Sequence, residues 1–137
     1  MNDPIIPILL FSSRRDVTSK EIERCLGRLG PGTENIICSE PEHFSDEILQ
    51  ILSGMGIILI LIRDKKELDR ILQLHPILSS HDIILILSEG DSETMQKGLD
   101  LYPRYISYVK EEYSDVFQVI EKMMIKIKIK RGEKNAR

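Results

Sequence analysis

Aliphatic residues gather in five short runs, at residues 5–11, 35–38, 57–62, 83–87 and 105–109. Their length and Ile content predict β-strands. Residues 57–62 read Ile-Ile-Leu-Ile-Leu-Ile and residues 83–87 read Ile-Ile-Leu-Ile-Leu. An apolar run without alternation is expected where both faces of a parallel sheet are covered, so these two are read as central strands. Between the runs the period changes to that of a helix: Ile22, Cys25, Leu26 and Leu29, then Ile48, Ile51, Leu52 and Met55, and finally Val116, Val119, Ile120 and Met123. Shorter helical segments centre on Leu68, Ile71 and Leu72 and on Met95 and Leu99.

Helix starts are expected at Thr18 with Glu21 as a capping box, at Ser45, at Ser114, and at Asp91 or Ser92. Strands alternating with single helices predict right-handed crossovers and one α/β domain: a five-stranded parallel sheet with helices on both faces, doubly wound as (βα)5. The alternating Ile and Lys of residues 125–130 admit a strand, but Ile127 keeps the phase of Val116, Ile120 and Met123 and so favours a continuing helix that then frays. The domain is taken as residues 1–125, with 126–137 a basic tail or linker.

A chain of 137 residues suits one domain, and the formal charge of −3 conceals a strong asymmetry. Residues 122–137 hold seven Lys or Arg and one Glu, a net +6, which leaves the rest near −9. An acidic body argues against nucleic-acid binding by the domain face, whereas the basic tail alone suits an acidic partner, nucleic acid or an anionic surface. Cys25 and Cys38 have neither redox nor zinc spacing and read as reduced core thiols; with no signal-like start and no long apolar run, the expected setting is cytoplasmic, not a membrane. His43, His75 (at a helix end before Pro76) and His81 share no helical spacing, so no metal or cofactor is expected. Glycine-rich phosphate loops and nucleophile elbows are absent.

Ligands of open α/β sheets bind beyond the carboxyl ends of the strands. There the sequence places Ser12, Ser13 and Arg14; Ser39 and Glu40; Arg63 and Asp64; Ser88 and Glu89; and Lys110. This order of five units, with Ser88 closing the fourth strand and Lys110 the fifth, resembles the receiver domain of two-component response regulators over residues 4–125. The resemblance implies a CheY-like, flavodoxin-like three-layer sandwich with strand order 2-1-3-4-5. In that family two acids after strand one hold Mg²⁺, an Asp at the end of strand three accepts the phosphoryl group, and a Ser or Thr and a Lys respond to it.

Only the last two positions match, at Ser88 and Lys110. Ser12 and Ser13, followed by Arg14 and Arg15, replace the acids, and magnesium held through one or two carboxylates would be lost with them. The phosphoacceptor position falls nearer Leu61. Asp64 is an unfavoured candidate for it, since Asp64-Lys65-Lys66-Glu67 reads as a helix cap. Ser107 fills the position where the family carries an aromatic switch. The pattern implies a pseudo-receiver: a non-catalytic signalling module, such as the N-terminal domain of a bacterial transcriptional regulator, acting by protein contact, with an output domain beyond residue 137. The alternative is a small-ligand or anion-binding domain of flavodoxin-like architecture, with Ser12, Ser13, Arg14, Ser88 and Lys110 around its crevice.

Tyr102, Tyr105, Tyr108 and Tyr113 are all the tyrosines of the chain and lie within twelve residues. The helix before strand five, that strand and the last helix are therefore the expected contact face for a partner protein or a second copy. The competing reading is that these rings only pack the two helices together.

Overall fold

Five parallel strands form one sheet in the order β2-β1-β3-β4-β5 in a computed structural model that describes residues 5–88, 92–110 and 112–135, the side chains of 133–135 excepted. They are β1 (Ile6–Phe11), β2 (Thr33–Cys38), β3 (Ile57–Ile62), β4 (Asp82–Leu87) and β5 (Tyr105–Tyr108). β3 and β4 are the continuous Ile/Leu runs; every residue of β3 is buried, and β4 is buried from Ile83 onward. β5 and β2 are the edges. β2 starts two residues before its apolar run because Thr33 and Glu34 pair with Ile6 and Pro7.

The connections are α1 (Val17–Leu26), α2 (Pro41–Gln50), α3 (Lys65–Leu72), the single turn α4 (His75–Leu78), α5 (Ser92–Leu99) and α6 (Ser114–Asn135). Alternate residues of the central strands feed two cores. Ile8, Leu10, Ile57, Leu59 and Leu61 meet Ile22 and Leu26 of α1 and Val116, Ile120, Met123 and Ile127 of α6. On the other face Leu9, Phe11, Ile58, Ile60 and Ile62 meet Phe44 and Ile48 of α2 and Leu68 and Ile71 of α3. Gly98 of α5 lets that helix approach the sheet, since a Cβ there would stand 2.6 Å from Leu85 Cδ2.

Several expected helix ends are displaced. α1 is capped by Asp16, whose carboxylate accepts from the Ser19 amide at 3.0 Å while Ser19 Oγ accepts from the Asp16 amide at 2.9 Å; Thr18 lies inside the first turn. α2 begins at Pro41, whose ring presets the first helical φ, with Ser45 in its interior. It stops at Gln50, because Ile51 turns extended and Gly54 takes φ +77°, so Leu52 and Met55 follow the helical period without belonging to the helix. His75 opens α4 instead of closing α3. α6 starts with Ser114 as its first residue, and Phe117 donates its amide to the Tyr113 carbonyl. Asp91 lies outside the described residues. At residue 126, where the sequence suggested a boundary, α6 continues without a break, and Ile127 is packed in the core.

Candidate functional site

Backbone hydrogen bonds run past the strand ends, from the Ser12 amide to Cys38, the Ser88 amide to Ile62 and the Val109 amide to Leu87. They bring residues 12–16, 63–67, 88 and 109–110 to one edge of the sheet. At its centre lies Arg63, the residue after the last Ile of β3, whose side chain is only 7% exposed. Its Nη2 donates to Asp16 Oδ1 at 2.6 Å and to Ser12 Oγ at 3.3 Å, while Nε meets no acceptor among the described residues. Burial opposes ionisation of Asp16, but the Ser19 amide and the Arg63 guanidinium outweigh it and hold the carboxyl below its ordinary range.

The hydroxyls nearby are engaged. Ser12 Oγ donates to the Arg14 carbonyl at 2.7 Å, and Ser13 Oγ donates to Glu67 Oε2 at 2.6 Å. Glu67 Oε1 in turn accepts from the Arg63 amide at 3.3 Å. Asp64 caps α3, its Oδ1 accepting from the Glu67 amide at 2.9 Å. Arg14 is exposed, and Arg15 pairs with Glu23 at 3.0 Å.

A second cluster joins β5 to α6. Asp115 Oδ2 accepts from Tyr105 Oη at 2.7 Å, Lys110 Nζ at 2.8 Å and Ser107 Oγ at 3.0 Å. Burial opposes its charge, yet the bonds from Lys110, Tyr105 and Ser107 bring its pKa down to about 2. The same bond to Asp115 raises the Lys110 pKa, and it raises that of Tyr105. Ser88 is exposed at the end of β4, and none of its side-chain bonds joins either cluster among the described residues.

The structure therefore gathers Ser12, Ser13 and Asp64 around Arg63, and sets Lys110 on Asp115. Arg63, Asp16, Glu67 and Asp115 carry the charge pairing. The sequence places Arg63 at the strand end without a role, and Asp16, Glu67 and Asp115 were missed as site residues, the one available signal being a lone Arg directly after six aliphatic residues. The tyrosines divide. Tyr113 is buried and accepts the Lys110 amide at 3.2 Å, and Tyr105 is half-buried against Asp115. Tyr102, at φ 52°, and Tyr108, whose hydroxyl lies 3.3 Å from Met95 Sδ, are exposed beside Leu99 and Val109. Cys38 is buried and burial raises its thiol to about 11, whereas Cys25 is only partly covered. Among the described residues no group of His, Cys, Asp or Glu is arranged to hold a metal ion, and no helix is long and apolar enough to cross a membrane.

No family model matches the sequence, and no curated protein matches it. Solved structures do. A response regulator CheY-like protein from Mesorhizobium loti superposes with a TM-score of 0.63 at 12% identity, over 87% of this chain and 98% of that one. The signal receiver domain of a modulated diguanylate cyclase from Desulfovibrio desulfuricans G20, described as an example of alternate folding, gives 0.69 at 19% identity, over 92% and 98%. The fold, with its 2-1-3-4-5 order, is that of receiver domains.

Proposed function

We propose that the chain is a signalling module of receiver architecture that works by protein contact and neither holds Mg²⁺ nor accepts a phosphoryl group. The observation that carries this is that both charge clusters at the carboxyl edge are internally paired. A guanidinium sits on Asp16 where a phosphoryl-transfer site needs carboxylates free for a divalent cation, and Lys110 is bound to Asp115. Asp64, the phosphoacceptor candidate, caps the α3 N-terminus. Incubation with acetyl phosphate and Mg²⁺ should leave the intact mass unchanged. An adduct of about 80 Da that disappears in Asp64→Asn overturns the reading.

The contact face in this reading is α5 and β5, where Met95, Leu99, Tyr102, Tyr108 and Val109 are exposed together. Tyr105 and Tyr113 instead brace β5 on α6. Tyr102→Ala or Tyr108→Ala should weaken association with a regulatory partner or a second copy by ~1 to 3 kcal/mol. The last turns of α6 then lead toward an output partner in a cytoplasmic regulator, with any linker starting beyond Ile127, which is packed in the core. The crevice reading has less support, because the Ser12 and Ser13 hydroxyl protons are already donated within the protein. Amide shifts at residues 12–15 on titration with phosphate would revive it.

A further inference from the structure

Beyond the α5–β5 face and the single Val17 at the start of α1, the helices α6 and α2 carry exposed aliphatic side chains among the described residues, and their charges are opposite. In α6 the core side is Val116, Ile120, Met123 and Ile127, spaced by four, three and four. The same spacing on the opposite side gives Gln118, Lys122, Ile125 and Ile129, all exposed, with Ile125 at 57% and Ile129 at 55%. That is the spacing of a helix–helix seam. Lys122 lies in this row, Lys126 and Lys128 flank it, and Glu121 is the only acid between residues 118 and 132. In α2 the outward residues are Glu42, Asp46 and Leu49, with Leu49 at 67% exposed and Leu52, in the turn just past the helix, at 72%. No Lys or Arg occurs from residue 29 to residue 62. Among the described residues, Lys122, Lys126, Lys128, Glu42 and Asp46 make no ion pair.

We propose that the outward face of α6 seats on the outward face of α2 of a second copy. Ile125 and Ile129 cover Leu49 and Leu52, and the lysines face Glu42 and Asp46. Two α6 faces repel each other, as do two α2 faces, so charge selects the unlike pairing. The two helices lie on opposite faces of the sheet, so each copy offers both halves of the contact, and copies join head to tail. A narrow seam does not provide the broad apolar face with which a helix lies in a bilayer, because the broad face of α6 is spent on the core.

Sedimentation of the full chain at rising concentration should show weak association that fades as salt is raised. Lys122→Glu/Lys126→Glu should weaken it at least tenfold, and Glu42→Lys/Asp46→Lys equally. Mixing these two variants should restore it, since each then presents a partner for both faces of the other. Circular dichroism of each variant checks that it is folded, and Ile125→Ala/Ile129→Ala provides a second, charge-neutral loss. The proposal is overturned by a wild type that stays monomeric at high micromolar concentration, by a mixture that does not reassociate, or by association lost only with Tyr102→Ala or Tyr108→Ala. It is equally overturned if binding to phosphatidylserine vesicles, insensitive to the α2 variant, is the only interaction lost with the lysines.

Discussion

Arg63 and Asp115 are the two residues whose environments say most about what the carboxyl edge can do. With its folded pKa at about 2, Asp115 lies below its unfolded value. The stability it contributes is complete above roughly pH 4 and is lost as pH falls toward the folded value. Asp115→Asn should therefore lower the melting temperature at neutral pH, and the gap to wild type should close between about pH 4 and 2. Thermal unfolding of both proteins across that range checks the sign. Asp16 has two roles, as the α1 cap and as the partner of a buried cation. Asp16→Ala should cost about 2 kcal/mol, and Asp16→Asn, which keeps a capping acceptor, should isolate the charge component. Urea unfolding of these with Arg63→Met in a double-mutant cycle separates the two roles. Asp64 was legible as a cap because its partner lies three residues on. The Arg63 to Asp16 pair spans 47 positions, and no local period reports a contact of that range.

Along a single helix, α6 carries Ile120 and Ile127 inward and Ile125 and Ile129 outward. Ile127 is buried and Ile125 is not, so Ile127→Ala should cost about 2 to 4 kcal/mol while Ile125→Ala stays within about 0.5 kcal/mol. Denaturant midpoints of the two variants test whether the domain ends near residue 126 or runs further. Asp64→Ala should lose about 1 kcal/mol through α3 alone, with no other consequence at the edge. Helix phase was readable from the sequence wherever packing set it, as for Ile120, Met123 and Ile127. Helix ends were less so: Ile51, Leu52 and Met55 sustain the period past the point where Gly54 turns the backbone, and Asp16, set among polar residues, was passed over for Thr18.

Across the whole molecule the central place of β3 and β4 was readable because both are apolar without alternation, whereas the 2-1-3-4-5 order was legible only through the resemblance to receiver domains. What the sequence hid is which charged residues face each other across the loops, since those pairings depend on the finished sheet. Native-state hydrogen exchange should find β3 and β4 the slowest strands and the edge strand β2, half-exposed over much of its length, among the fastest. The same six-residue Ile57–Ile62 stretch that anchors the sheet carries a liability before folding is complete. It combines strong β-propensity with no charge and no proline, and the preceding part of the chain back to residue 29 supplies no cationic gatekeeper. On a ribosome it emerges with β1 already made and β4 still some 20 residues from the exit, so one flank of the nascent strand waits unpaired. A Lys at Ile62, at the rim of the sheet, would trade folded stability for a nascent chain that is easier to keep in solution, and soluble yield against chaperone level would measure that exchange.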